Sequence, residues 1–322
     1  MANFILRRLG ISVLLLAIVS VLVFVVLRVL PGDPTITLLG GAQGTDKTAV
    51  TQVRAQLGLD RPLPVQYWHW VAGLLHGDLG ISYFSQTSVN SLVAARVGPT
   101  LELALVAIVA AVVIAVPLAV LAAWRPGGVM DRAVAAFTTM TMAVPTFLMA
   151  IILVVVFAVR LRVLPSRGYV SFAADPIGNI RLIILPGLTL ALAAAAPILR
   201  YLRASLADVA ESGYLRTAEG KGVAWRRAVV THALPNALLP TLTVVGMTVG
   251  HLLGGVVIIE YIFGWPGLGA LIVNSVLKRD YAVLQTGVLF AAGAFILCAL
   301  LVDVLYGVID PRLRVRRKVA NP

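Results

Sequence analysis

The residues best placed to do chemistry lie in one polar stretch, Arg200 to Pro235, the only long polar insert late in the chain. It carries Arg216-Thr217-Ala218-Glu219-Gly220-Lys221-Gly222 and, after a gap, His232-Ala233-Leu234-Pro235. A lysine between glycines is material for a phosphate cradle, but such a loop needs G-x-x-x-x-G-K followed by a hydroxyl that holds magnesium. Gly220-Lys221-Gly222 lacks both the earlier glycine and the hydroxyl, so this chain is not expected to hydrolyse ATP by itself. No G-x-S-x-G elbow, H-E-x-x-H helix or paired intramembrane carboxylates occur either, and no catalytic residue is nominated.

The remaining candidates are sparse. His69 and His76 are seven apart with Asp78 near, yet a metal needs three or four converging ligands, and no metal site is expected. The single cysteine, Cys298, sits in an apolar run, which excludes an intramolecular disulfide, a thiolate cluster and a redox pair. His251 and Asp303 are ionisable groups inside apolar runs. Such groups mark either a functional path or a hydrogen bond to a neighbouring helix, and for Asp303 a structural ion pair is expected. The formal net charge of +12 comes without an aromatic-interleaved basic platform. Nucleic acid is therefore not an expected partner, and the headgroups of membrane lipids supply the counter-charge.

The elements that must position these residues are membrane helices. With 60% hydrophobic and 12% charged residues and a mean hydropathy of +0.96, the chain falls outside the range of a soluble domain. A hydrocarbon slab about 30 Å thick needs about 20 apolar residues in helical form, and six stretches meet that test, giving an all-α polytopic membrane protein. They are residues 9–27, 99–123, 133–159, 182–199, 237–259 and 281–309, with kinks expected at Pro117 and Pro145. Arg7 and Arg8 precede the first, but its apolar part is too long for a signal core and no small-residue cleavage motif follows, so an uncleaved anchor is expected. Residues 31–98 are polar, balanced in charge and long enough to cross regardless of charge. They are expected outside the cytoplasm, with short surface helices over Val50 to Leu57 and Pro64 to His76. Basic residues at Arg7, Arg8, Arg125, Arg132, between Arg200 and Arg227, and in the 310–322 tail place both termini in the cytoplasm. The loop Arg160 to Arg181 is a local misfit, basic although it falls outside.

Within this frame, Arg203 to Thr217 reads as a short amphipathic helix broken by Gly220 and Gly222, where glycine leaves room for another surface to approach. A bulky charge at Gly222 is expected to fill that space. Thr138, Thr141 and Thr146 with Met142, and His251 on the fifth span, are candidates for a water-filled path or for ordinary interhelical hydrogen bonds. Gly246, Gly250 and Gly254 form a small-residue strip suited to close helix packing.

The polar stretch resembles the EAA signature of ATP-binding-cassette importer permeases. Arg216-Thr217-Ala218 holds the E-A-A place, Gly222, Leu234 and Pro235 fall at the remaining positions, and His232 stands where an aliphatic residue is usual. Nearly the whole chain resembles the dipeptide, oligopeptide and nickel branch of that family, through its first-type permease. The matching segments are Leu30-Pro31-Gly32-Asp33-Pro34, Leu57-Gly58-Leu59-Asp60-Arg61-Pro62 with Gln66-Tyr67, His76-Gly77-Asp78-Leu79-Gly80-Ile81-Ser82, Phe263-Gly264-Trp265-Pro266-Gly267-Leu268-Gly269, Arg279-Asp280-Tyr281 and Asp310-Pro311-Arg312-Leu313-Arg314. The resemblance implies a six-span type I importer permease in a bacterial plasma membrane. Its implied partners are a second homologous permease, two ATPase subunits that use ATP and magnesium, and an extracytoplasmic substrate-binding protein. No cofactor would be bound by this chain. The segment Tyr214, Leu215, Arg216, Thr217, Ala218, Glu219, Gly220, Lys221, Gly222 would couple to the ATPase. A short-peptide cargo, a nickel or other small-solute cargo, and an autonomous carrier or channel all stay open at this point.

Overall fold

A chain this apolar satisfies its backbone polar groups in lipid only by bonding them within helices. The computed structural model of the protein describes residues 2–29, 35, 47–56 and 58–309. Its helices are α1 (Ala2–Val29), α2 (Lys47–Gln56), α3 (Leu63–Leu75), α4 (Val89–Ala123), α5 (Val129–Ala143), α6 (Thr146–Leu153, continued as a π-helix over Val154–Arg160), α7 (Pro176–Ala210), α8 (Gly213–Gly220), α9 (Trp225–Ala228, continued as a π-helix over Val229–Ala233), α10 (Leu234–Phe263), α11 (Leu268–Lys278) and α12 (Tyr281–Ile309). The motif Leu30-Pro31-Gly32-Asp33-Pro34, Leu57, the motif beginning at Asp310 and the basic tail lie outside the described residues, as does the side chain of Asp303.

Five helices are long and apolar enough to span a bilayer: Leu6–Val29, Val89–Ala123, Pro176–Ala210, Trp225–Leu252 and Tyr281–Leu301. Two bent pairs raise the number to as many as seven, Val129–Ala143 with Thr146–Arg160 at 106° and Gly254–Phe263 with Leu268–Lys278 at 75°. The stretch expected as one kinked third span is thus two helices. Proline disfavours the helical region for the residue before it, and Val144 is extended, with ψ 122°, ahead of Pro145. Pro117, by contrast, sits within α4 without interrupting it. That helix starts ten residues before the expected position because Val89 and Val93 are buried and carry its apolar stripe. The fourth span is also longer, starting at Pro176, where the Asp175 carboxylate accepts a hydrogen bond from the Gly178 amide at 3.0 Å. Residues 260–280, expected as a loop, contain the end of α10 and all of α11.

The chain forms two compact units, one of Met1–Leu6, Leu101–Trp265 and Leu297–Pro322, the other of Arg7–Thr100 and Pro266–Ile296. In the first, α7 supplies the largest share of the core, with Leu185, Leu190, Leu199 and Leu202 buried, and α4 contributes Ala107, Ala111, Ala115 and Ala119 at four-residue spacing. Small residues at that spacing let neighbouring helices approach closely. The contact between α7 and α10 is the most extensive of any helix pair. The Phe263-Gly264-Trp265 segment closes this unit: Gly264 ends α10 in the left-handed region at φ 64°, and the buried Trp265 ring meets Tyr169 edge-on at 4.7 Å. Gly168 donates to the Phe263 carbonyl at 3.0 Å, so the basic loop is tied to the same corner.

The second unit is tied together by Asp280. Its buried carboxylate accepts from the Ser82 hydroxyl and from the amides of Tyr83 at 3.1 Å and Phe84 at 3.4 Å. Two of the segments singled out in the sequence, around Ser82 and Asp280, therefore meet. Thr100 Oγ1 accepts from the Leu268 amide at 2.8 Å, and Phe24, Tyr67 and Trp70 form an aromatic cluster.

Candidate functional site

The polar stretch folds as the end of α7, a break, α8 and α9. Sequence spacing led us to expect one helix over Arg203 to Thr217, but the chain turns at Glu211 and Ser212. Serine offers the backbone local hydrogen bonds that compete with a helix, and here Ser212 Oγ donates to the Val209 carbonyl while Ser212 itself is extended, ψ 144°. Gly213 then opens α8. Leu215 is fully buried in the core of this unit and anchors α8, whereas Tyr214, Arg216, Thr217, Glu219, Gly220 and Lys221 are exposed and Ala218 is half-buried. Asn236, in the first turn of α10, donates to the Tyr214 hydroxyl at 3.1 Å.

Gly222 closes α8. The Gly222 amide donates to Glu219 O at 2.8 Å and the Val223 amide to Ala218 O at 3.1 Å, the paired bonds of a helix C-terminus with a left-handed residue after the cap. Gly222 has φ 84°, and a Cβ built on it meets nothing within 4 Å. The expectation that Gly222 is needed for close approach thus acquires a different reason within this chain, because what the position requires is a positive φ. Gly220, expected to break the helix, is its last residue.

α7, α10 and the α5–α6 break line an open cavity of about 550 Å³. Thr141, Met142, Thr146 and His251 line it, together with Leu190, Pro197, Met247 and Thr248. The extended Val144 and the proline behind it are what turn Thr141 and Thr146 to one space. Thr138, the fifth candidate, does not line the cavity; it is buried and its hydroxyl donates to the Val134 carbonyl at 2.7 Å. The walls therefore present hydroxyls, thioethers and one imidazole among apolar groups. Met247, Thr248 and Pro197 were not nominated from sequence; Met247 and Thr248 stand four and three residues before His251 along α10, and that helical spacing was the available signal.

Of the glycine strip, Gly246 and Gly250 are buried, but Gly254 is exposed and a Cβ on it meets nothing within 4 Å. Successive residues turn by about 100°, so eight residues carry Gly254 about 80° away from Gly246. Gly255 is the one facing α7, 3.8 Å from Leu190 Cδ2 at its Cβ position. On the same end of the unit as α8, Asp131 at the start of α5 pairs with Arg203 of α7 and accepts from the Gly127 amide at 2.9 Å. Trp225 Nε1 donates to the Ala123 carbonyl at 3.2 Å and the Arg226 guanidinium lies 4.9 Å above the Trp124 ring, so α9 is fastened to the end of α4. None of these three contacts was expected from sequence, because each joins residues far apart in the chain.

Residues 115–315 match the family described as "Binding-protein-dependent transport system inner membrane component", and residues 1–104 match its N-terminal counterpart, "Binding-prot-dependent transport system membrane comp, N-term". Among curated relatives, the chain is 39% identical over 314 residues to "Probable peptide ABC transporter permease protein y4tP" of Sinorhizobium fredii, covering 98% of this chain and 100% of the relative. It is 41% identical over 315 residues to the "Glutathione transport system permease protein GsiC" of Escherichia coli, covering 98% and 99%. It is 37% identical over 337 residues to the "Dipeptide transport system permease protein DppB" of the same species, covering 98% and 99%.

Proposed function

The chain belongs to the family of binding-protein-dependent transport system inner membrane components, and we propose that it is the permease subunit of an ATP-driven importer of short peptides. The observation that carries the reading is the continuity of α8 with the cavity. The short exposed helix follows α7 across the Ser212 turn and accepts a hydrogen bond at Tyr214 from Asn236 of α10, and the same two helices line the cavity that holds Thr141, Met142, Thr146 and His251. From Pro197 to Ala210, α7 runs about 20 Å as uninterrupted helix at 1.5 Å per residue. A push on α8 therefore has a rigid path to the cavity wall, and packed interfaces respond to such a push by switching between discrete arrangements.

In this mechanism two ATPase subunits, which bind ATP and magnesium, dock on the exposed face of α8 that presents Tyr214, Arg216, Thr217, Glu219 and Lys221. Leu215 transmits their closure into the core. A second, homologous permease completes the path, and an extracytoplasmic binding protein delivers cargo. Threonine hydroxyls and the His251 imidazole offer hydrogen bonds to peptide groups without fixing one side chain, which suits a path that leaves selection to the binding protein. Both termini lie in the cytoplasm. The similarity to relatives named for peptide, dipeptide and glutathione transport supports the peptide cargo.

The test is reconstitution of the tagged chain with its co-purifying subunits into proteoliposomes, followed by uptake of labelled dipeptide with ATP on the ATPase side. Uptake that needs ATP and the binding protein is expected. A monodisperse chain that moves solute without either would overturn the proposal in favour of an autonomous carrier.

A further inference from the structure

The second unit contains its own cavity, of about 350 Å³, lined by none of the residues of the α8 segment or the first cavity. Arg28 of α1, Gln66, His69 and Trp70 of α3, Tyr83 and Gln285 of α12 line it. Arg28 is in the last turn of the first span, where the chain leaves the hydrocarbon. It is held, not free to swing: its Nε donates to Gln66 Oε1 at 3.0 Å and the guanidinium lies 4.9 Å above the Phe24 ring. Gln66 is fixed in turn, donating to the Arg61 carbonyl at 2.7 Å. Among the described residues Arg28 meets no carboxylate in ion-pair range. Its terminal nitrogens thus keep the fork that binds phosphate in a bidentate manner.

The surrounding donors are unmet. Gln285 is 5% exposed, and its Nε2 and the Trp70 Nε1 are buried without a hydrogen-bond partner among the described residues. Buried donors are nearly always paired, and each left unpaired costs about 1–3 kcal/mol. Burial also pushes the Tyr83 phenol above its ordinary range, against a smaller opposing pull from Arg28, so it stays a donor at neutral pH. Arg61 and His69 add basic groups at the wall. The one carboxylate on the lining, Asp78, is exposed and its Oδ1 accepts from the Gly80 amide at 2.9 Å. A basic, donor-rich cavity calls for an anion that only accepts.

The depth of the cavity selects which anion. It is bordered by α3, which exposes Leu63, Val65, Trp68 and Leu75 and has no buried residue, the pattern of a helix lying in the headgroup region. The anion concentrated there is lipid phosphate. We infer that the cavity between the end of α1, α3 and the start of α12 binds the phosphate headgroup of an anionic phospholipid, with the Arg28 guanidinium as its principal contact.

The experiment titrates the delipidated full chain in neutral detergent with dihexanoyl-phosphatidylglycerol, dihexanoyl-phosphatidylcholine and inorganic phosphate, following thermal stability and, by native mass spectrometry, retained lipid. Wild type is expected to hold one phosphatidylglycerol more tightly than phosphatidylcholine or inorganic phosphate. Arg28→Gln should weaken it by about tenfold or more, the size of one lost hydrogen bond to a charged group, and Arg28→Lys should fall between. Should Arg28→Gln not fold, Trp70→Phe, which keeps the ring and removes the donor, decides by the same titration. No phosphatidylglycerol binding by wild type, or unchanged affinity in the variant that folds, overturns the inference. Inorganic phosphate binding as tightly as the lipid overturns the lipid source.

Discussion

Replacing Gly222 separates two reasons for having glycine there. At φ 84° any residue with a Cβ pays for the left-handed conformation, about 1–2 kcal/mol. Nothing lies within 4 Å of the Cβ position to add to that cost within the chain. A penalty of this size shifts a local equilibrium by roughly 5–30-fold. Because the strain falls on the α8 cap and not on the buried core, the shift should appear as faster amide exchange at Gly222 and Val223 with the melting temperature of the chain nearly unchanged. Gly222→Ala and Gly222→Arg should exchange alike. Gly222→Asn should stay closer to wild type, since asparagine tolerates the left-handed region. Hydrogen exchange read by mass spectrometry over residues 216–225 measures all three. Retention of ATPase subunits on purification then separates conformation from space: a docking surface that needs room loses the ATPase with Arg and keeps it with Asn. Exchange at the wild-type rate in Gly222→Ala would refute the capping argument.

Further outcomes follow from the other contacts. Asp280→Ala strands the buried Ser82 hydroxyl and the Tyr83 amide and should destabilise the detergent-solubilised chain by about 1–3 kcal/mol, read as a lowered melting temperature. The Asp131–Arg203 pair is worth less, because the Arg203 side chain is 38% exposed; a double-mutant cycle with Asp131→Asn and Arg203→Gln should give a coupling energy no greater than about 1 kcal/mol. Once Cys298 is replaced, cysteines at Met142, Thr146 and His251 should react with a water-soluble maleimide and one at Thr138 should not; labelling at Thr138 would contradict its burial. Trp265→Ala empties a fully buried site against Tyr169 and should cost about 3–5 kcal/mol in thermal unfolding.

Much of the fold is legible because span length is a one-dimensional property: a run of about 20 apolar residues must be a helix across lipid. Which proline breaks a helix is not one-dimensional. Pro117, Pro186 and Pro197 sit inside continuous helices and Pro145 ends one, although each restricts its neighbours in the same way. The difference lies in what packs around them; Pro186 is buried in the core, where neighbouring helices hold the turn. The cavity was partly legible, since a threonine or histidine in an apolar run has to face something polar or bond its own backbone. Thr141, Thr146 and His251 do the first and Thr138 the second, a distinction that depends on helix rotation. The Ser82 to Asp280 tie was present only as two unconnected motifs, 198 positions apart.

The placement of rigidity within the first unit also constrains how motion can pass through it. The π-helical stretch Val229–Ala233 sits between α9 and α10, and such irregular turns mark points where a helix can change register. Ahead of α8 lies the Ser212-Gly213 turn. Between these two yielding points lie α8, anchored by Leu215 and capped at Gly222, and α9, tied through Trp225 to the end of α4. Beyond them, α7 and α10 share the most extensive helix contact among the described residues and both line the cavity. A displacement entering at α8 is thus taken up at the flanking turns or passed to the α7–α10 pair. Stiffening the turns should raise the share that reaches the cavity. Gly213→Ala, at a position where a Cβ meets nothing within 4 Å and where alanine favours the first helical turn by up to about 1 kcal/mol, is the direct way to do so. It should tighten the dependence of uptake on ATP, seen as fewer ATP consumed per dipeptide delivered, and an unchanged or higher ratio would place the compliance elsewhere.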